Sequence, residues 1–294
     1  MIVAVVVTYG PDERTAELLR AVAPQVGRIV VVDNGSEPAD MQKIASAIAE
    51  VGARVIELGE NTGIANAQNV GILWAKQAGA THVLLSDQDS LPAPDMVARL
   101  RAQYEGAPGI GAVGPYIAEN KPGGDELVYV DRTWGPRRAT KAELGQPVLD
   151  AAFLLASGCL IPVAVLDDVG PMNAEYFIDH VDLEWCLRAR RAGYRVVVDT
   201  AARLDHSLGD ETVTLPGRAQ PVHVHSPIRC YYLARNTIFL MRSGLLPAAW
   251  RVGYALWLAK FAAFHGLVAD RRRVRIRELI AGIRDGLLGR GGRR

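Results

Sequence analysis

Short apolar runs alternate with segments of helical period along the first part of the chain. Ile2–Thr8 is an unbroken run rich in β-branched residues, closed by a Tyr-Gly-Pro-Asp turn and followed by an amphipathic stretch from about Glu13 to Val22. Arg28–Asp33 predicts a second strand ending at Asn34-Gly35-Ser36; a helical segment continues to about Glu50, and Arg54–Leu58 predicts a third strand. Gly63–Gly79 has a helical period, with Ile64, Ala67, Gly71, Ile72 and Ala75 towards one face. His82–Ser86 predicts a fourth strand that runs into Asp87-Gln88-Asp89-Ser90. Continuous apolar strands separated by helices imply a parallel sheet covered on both faces. Ligands of such sheets bind beyond the carboxyl ends of the strands. That rule singles out Thr8-Tyr9, Asp33-Asn34, Asn61–Gly63 and Asp87–Asp89.

The pattern is less regular further on. From Gly106 to Gly145 the chain is rich in Gly and Pro, and it reads as a strand (Ile110–Tyr116) followed by a long excursion. Ala151–Val165 is apolar but broken by Ser157-Gly158 and Pro162, which suits a buried strand and the start of a helix, not a membrane span. Asp182–Ala192 predicts a helix and Arg195–Val198 a strand. No repeat and no linker divides this body.

Composition narrows the class. The 294 residues are 49% hydrophobic and 22% charged, which excludes a disordered, collagen-like or coiled-coil chain. Cys159, Cys186 and Cys230 sit in apolar sequence and read as core thiols of a reducing compartment. No basic n-region precedes the first apolar run, so no secretory leader is expected. The formal charge of +1 conceals an asymmetry: residues 242–294 hold twelve basic and three acidic side chains. Nothing in this pattern suggests nucleic acid as a partner.

Several clusters could do chemistry. Asp87-x-Asp89 leaving a strand can hold a hard divalent cation, although such pairs also cap helices. Asp33 at a strand mouth can accept hydrogen bonds from a base or ribose. Neither Gly-x-Gly-x-x-Gly nor Gly-x-x-x-x-Gly-Lys-Ser/Thr follows a strand, which disfavours dinucleotide oxidoreductases and P-loop ATPases. In Tyr176–Trp185 three acids and His180 crowd a helix start among apolar neighbours, a setting that raises a carboxyl pKa and suits a general base. His206 follows the last strand. His223-x-His225 lacks a third soft ligand for zinc. Arg229 and Arg235 present guanidinium groups suited to phosphate.

Taken in order, these segments resemble the family-two glycosyltransferases of the GT-A fold, and among them bacterial rhamnosyltransferases. The likeness runs from Val3 to about Arg242. It rests on Val7-Thr8-Tyr9, Val31-Val32-Asp33-Asn34-Gly35-Ser36, Asn61-Thr62-Gly63-Ile64-Ala65-x-Ala67-Gln68-Asn69-x-Gly71 and Leu85-Ser86-Asp87-Gln88-Asp89-Ser90. The later segments are Ser157-Gly158-Cys159-Leu160, Phe177-Ile178-Asp179-His180-Val181-Asp182-x-Glu184-Trp185 and Tyr231-Tyr232-x-x-Arg235-Asn236.

The resemblance implies an α/β chain with a Rossmann-like, mostly parallel sheet flanked by helices and a helical C-terminal extension. Residues 1–240 would form the catalytic domain, with a nucleotide-binding half to about 105 and an acceptor half beyond it; 241–294 would be the extension. It implies a dTDP-L-rhamnose donor met by Thr8, Tyr9, Asp33, Asn61, Gly63, Gln68, Asp87, Arg229 and Arg235. Asp87, Asp89 and His206 would hold Mg²⁺ or Mn²⁺, and Asp182 would be the base of an inverting transfer to a glycan or lipid-linked glycan. Asp179 and Glu184 are rival bases. Gln68 stands where much of the wider family has Arg.

Other readings are synthesis of a rhamnolipid-type glycolipid, another nucleotide sugar, a nucleotidyltransferase, or a non-catalytic nucleotide-sugar-binding or scaffold protein. The apolar Gly244–Val268, with Trp250, Tyr254, Trp257, Phe261 and Phe264, leads into the basic Arg271–Arg277. This pairing suits peripheral attachment to the cytoplasmic face of an anionic inner membrane. A helix packed on the body, or a homodimer contact, is the alternative.

Overall fold

The computed structural model describes residues 1–119, 127–206, 211–213, 222–224 and 226–294, with the side chains of 118, 119, 206, 211–213 and 222–224 left aside. In chain order the elements are β1 (Ile2–Thr8), α1 (Glu13–Val22), β2 (Arg28–Asp33), α2 (Pro38–Val51), β3 (Arg54–Glu57), α3 (Ile64–Gln77), β4 (His82–Asp87), β5 (Ser90–Pro92), α4 (Met96–Ala102) and β6 (Ile110–Glu119). There follow β7 (Tyr129–Val130), β8 (Arg137–Arg138), α5 (Lys141–Leu144), β9 (Val148–Asp150), β10 (Cys159–Pro162), α6 (Val163–Val169), α7 (Val181–Arg191), β11 (Arg195–His206), β12 (Glu211–Val213), β13 (Val222–Val224), α8 (Pro227–Arg242), α9 (Ala248–Leu267) and α10 (Arg272–Leu288).

The main sheet runs β3-β2-β1-β4-β10-β6-β11-β5, with β9 beside β11. β3, β2, β1 and β4 are mutually parallel, and β10 enters antiparallel between β4 and β6. Chain order reverses between β1 and β4, the switch point at which such sheets open a crevice. Alternate residues of β1 feed two cores. Val3, Val5 and Val7 face α3 and α7, whereas Ala4 and Val6 face α1, α2 and α4. The near-continuous apolar strands follow from burial on both faces. Local signals set the helix ends: Asp12 and Thr15 form a capping box on α1, Pro38 opens α2, and Gly52 closes it in the left-handed region.

Two elements differ from their sequence reading. β11 continues past Val198 to His206 through a bulge, where Asp199 Oδ1 accepts the N–H groups of Ala201 and Ala202 at 2.9 and 3.1 Å. Side-chain capping of an irregular turn is what lets one strand resume in a shifted register. β5, too short for a periodic signal, pairs with the far end of β11, setting the His206 backbone opposite Ser90.

The last two helices are packed, not splayed. Gly282 of α10 lies against the α8 backbone so closely that a Cβ there would meet Tyr231 O at 2.3 Å. Arg275, within the basic run, is 3% exposed and binds Asp270 at 2.8 Å. The aromatic stripe of α9 also turns inward: Trp250 Nε1 donates to Arg132 O at 2.8 Å. What α9 leaves in solvent includes Val252, Leu256 and Leu267. Among the described residues no helix is long and apolar enough to cross a membrane.

Candidate active site

The strand ends and the segment before α7 enclose a cleft of about 790 Å³, within the range of small-molecule sites. One wall is built from the β1, β2, β3 and β4 ends. Tyr9 N–H donates to Gln88 Oε1 at 2.8 Å and Gln88 Nε2 returns a bond to Tyr9 O at 3.2 Å, tying the β1 and β4 loops together. Asn34 Nδ2 donates to Asn61 Oδ1 at 3.2 Å, and Thr62 N–H donates to Asn34 Oδ1 at 2.8 Å. Tyr9, Asn61, Gly63, Gln68, Asp87, Gln88 and Asp89 all face the cleft.

Thr8 and Asp33 lie beneath this wall. Asp33 is 4% exposed; it accepts Thr8 Oγ1 at 3.1 Å, Ser36 N–H at 3.0 Å and the Ser36 hydroxyl. Its carboxylate therefore fixes the β2 loop, and Ser36 Oγ in turn accepts Gly10 N–H at 2.9 Å.

The opposite wall is a strap, residues 173–180, that delivers α7. Phe177, Asp179 and His180 all have positive φ (61°, 66° and 62°). Such backbone is costly for non-glycine residues and persists only where surroundings over-determine it. α8 does so. Asn236 Nδ2 shares its two N–H donors among the carbonyls of Tyr176, Ile178 and Asp179 at 2.9, 2.7 and 2.9 Å. Arg235 Nη2 reaches the Glu175 and Tyr176 carbonyls, each at 2.9 Å. Tyr232 stacks on Phe177 with ring centroids 5.0 Å apart. From the first wall, Ile64 N–H donates to Phe177 O at 2.8 Å, and Asn69 exchanges two 2.8 Å bonds with Met172. Gly63 is obligatory at this junction, because a Cβ would lie 2.7 Å from Phe177 O.

Asp179, Asp182 and Glu184 separate by environment. Glu184 is 4% exposed, is paired with Arg188 at 2.9 Å and does not face the cleft. Asp179 faces it but is held by Arg229. Asp182 faces the cleft with Asp87 and Asp89, and no cation pairs with it among the described residues. Burial pushes its carboxyl up to about 7; the Leu183 N–H it accepts at 2.8 Å opposes this, while the charges of Asp87 and Asp179 add to it. Burial lowers His180 to about 4, so the ring is neutral at ordinary pH; its Nε2 contacts Thr237 Oγ1 at 3.1 Å.

Arg229 and Arg235 diverge. Arg229 lines the cleft, whereas Arg235 is fully buried among backbone carbonyls and does not reach it. The expectation that both meet phosphate fails for Arg235, since its donors already serve the strap. The His206 side chain, the His223 side chain and His225 lie outside the described residues. The cleft also contains the stacked pair Tyr129 and Phe153, which no sequence pattern singles out, and His180, the histidine of the acidic cluster. Tyr254 and Trp257 of α9 pack edge-on to His180, at 6.1 and 6.3 Å. The aromatic spacing of α9 was the available signal for these contacts; Tyr129 and Phe153 had none.

Asp87 and Asp89 supply hard oxygen donors of the kind Mg²⁺ and Mn²⁺ take, with cleft volume beside them for phosphate oxygens. Among the described residues no group of three or more His, Cys, Asp or Glu is gathered to hold a metal without such help.

Comparison with known proteins agrees with this architecture. Residues 3–170 match the model of Glycosyl transferase family 2. The chain is 32% identical over 247 residues to the dTDP-rhamnosyl transferase RfbF of Shigella flexneri, covering 84% of this chain and 81% of that protein. Among solved structures, S. aureus TarS 1-349 in complex with UDP-GlcNAc superposes with a TM-score of 0.62 at 14% identity, covering 98% of this chain and 81% of that one. The mannosyltransferase PcManGT from Pyrobaculum calidifontis, in complex with GDP-Man and Mn²⁺, gives 0.55 at 16% identity, covering 98% and 87%. The fold is GT-A, and with more than half its length matched to the family model, the chain belongs to glycosyl transferase family 2.

Proposed function

We propose that the chain transfers L-rhamnose from dTDP-L-rhamnose to a hydroxyl of a glycan, with inversion at the anomeric carbon. The observation that carries this reading is Asp182: a carboxyl with no paired cation among the described residues, pushed up to about 7 and lining the same cleft as Asp87 and Asp89. The likeness to a dTDP-rhamnosyl transferase supports the choice of donor. Tyr9, Asn61, Gly63 and Gln68 line the donor wall, with Thr8 and Asp33 fixing its loops, and Arg229 faces the same cleft from the strap side. Asp87 and Asp89 would hold Mg²⁺ or Mn²⁺, which when bound neutralises charge growing on the leaving diphosphate.

Asp182 receives the acceptor hydroxyl's proton as that oxygen bonds the anomeric carbon and the bond from this carbon to the diphosphate breaks. A carboxyl of pKa near 7 suits such a base at neutral pH. Tyr129 and Phe153 offer a stacked aromatic floor for the acceptor sugar. In this reading residues 1–240 are the catalytic domain, and 241–294 an extension.

The acceptor is lipid-linked and the site works at the cytoplasmic face of a membrane. Exposed Leu256, Leu267, Ile276, Ile280 and Leu287, beside exposed Arg271, Arg272, Arg273 and Arg277, support that attachment. Release of nucleoside diphosphate from a panel of sugar donors, with and without EDTA, tests the reaction. Metal-dependent release favouring dTDP-L-rhamnose is expected, and a preference for another donor or indifference to EDTA refutes that part of the reading. Pelleting with anionic vesicles at low and high salt tests attachment; no binding at either refutes it.

A further inference from the structure

The segment after α10 folds back behind the two walls of the cleft. Gly292 N–H donates to Glu175 O at 2.9 Å, and Gly292 O accepts Arg235 Nη1 at 2.6 Å. Gly291 lies so near the strap that a Cβ there would fall 1.7 Å from Glu175 Oε2 and 2.8 Å from Glu175 Cβ. Arg293 pairs at 3.2 Å with Glu60, the residue before Asn61. Arg294 N–H donates at 3.1 Å to the hydroxyl of Tyr232, whose ring stacks on Phe177. One short segment thus touches both walls: the strap that leads to Asp182, and the loop that carries Asn61 and Gly63.

We infer that Gly291–Arg294 is a positioning clasp, holding the strap in the backbone geometry that keeps Asp182 desolvated and tying the donor loop to it. The strap needs outside support because three of its residues sit in the left-handed region. Arg235 supplies much of that support, and Gly292 O takes one of its guanidinium donors, so the clasp acts through a fully buried group. The Arg293–Glu60 contact is the weaker arm. Its side chains are 58% and 72% exposed, and it trims the donor loop without fixing the strap. None of these residues touches the reacting atoms.

The kinetic part of the test rests on the transferase reading; hydrogen exchange does not. In the full chain, Gly291→Val is expected to speed exchange of amides 174–182 while β1 and β4 stay protected. It should lower kcat about tenfold with donor KM changed less than about threefold, because a displaced base acts on the chemical step. The acid midpoint of kcat/KM should fall below 7 as water reaches Asp182. Arg293→Glu should raise donor KM about two- to fivefold, and adding Glu60→Arg should restore it.

Wild-type exchange in the strap, or faster exchange spread evenly over the sheet, overturns the inference. So does an unchanged acid midpoint. Should Gly291→Val not fold, the exposed charge swap decides: failure of Glu60→Arg to rescue Arg293→Glu overturns the clasp. A wild-type chain that releases nucleotide from no donor refutes the transferase reading, and the exchange result still judges the clasp.

Discussion

The two walls of the cleft are built on opposite principles. The donor wall grows from the ends of four parallel strands, so its loops inherit their positions from sheet register: Val7 is aligned with Asp87, and Thr8 with Asp33. Polar side chains then lock one loop to the next, as Gln88 does with Tyr9 and Asn34 with Asn61. The base wall inherits nothing from the sheet. Its strap is irregular, strained at three residues, and held by side chains of α8 that arrive some 60 residues later in the chain. The difference teaches that sheet register is enough to place the strand-end loops, whereas the desolvated Asp182 has to be held in place by elements outside the sheet.

The comparison breaks most visibly at Asp182. Asp182→Asn should lower kcat by about 10²- to 10⁴-fold, the usual contribution of a general base, while calorimetric donor affinity changes little. The sign of its effect on stability is also set. A carboxyl raised from 3.8 to about 7 is ionised in the folded state at a cost, so the native fold loses stability as pH rises through 7. Asp182→Asn should therefore melt no lower than wild type at pH 8, and an activity loss accompanied by a lower melting temperature would point to misfolding instead.

Asn236→Ala probes the strap's support without touching the cleft. Three carbonyls lose a shared donor, at a cost of about 1–3 kcal/mol in stability, and kcat should fall while donor KM holds. Thermal melting together with steady-state kinetics would check both halves. The smallest effect belongs to the donor wall. Gln88→Ala removes two bonds between loops already placed by the sheet, and should raise donor KM about three- to tenfold with kcat nearly unchanged. A larger fall in kcat than in kcat/KM would contradict the division between the walls.

The same division explains what could be read from the chain. The apolar runs gave β1 to β4 and the helices between them, because burial on both faces leaves a periodic signature. The rule that ligands meet strand ends then found Tyr9, Asn61, Asp87 and Asp89 without any knowledge of the fold. β5 is too short to carry a period, and the bulge at Asp199 hid the second half of β11. On the base wall the sequence flagged the acidic cluster but left Asp179, Asp182 and Glu184 as rivals. Their pairing and burial separate them: Asp179 through the distant Arg229, and Glu184 through Arg188 one turn along α7. Arg235 was misread for the same reason: a guanidinium suited to phosphate is equally suited to carbonyls, and only its complete burial tells the two apart. The aromatics of α9 suggested a lipid face, yet Trp250, Tyr254 and Trp257 turn towards the body.

The acid limb of kcat/KM, measured with wild-type chain, bears most directly on the central claim that Asp182 acts as a desolvated base in this cleft. A profile governed by the free enzyme's base should rise with a midpoint near 7 and lose that limb in Asp182→Asn. A midpoint near 4, or a limb near 7 that survives the substitution, would contradict the account.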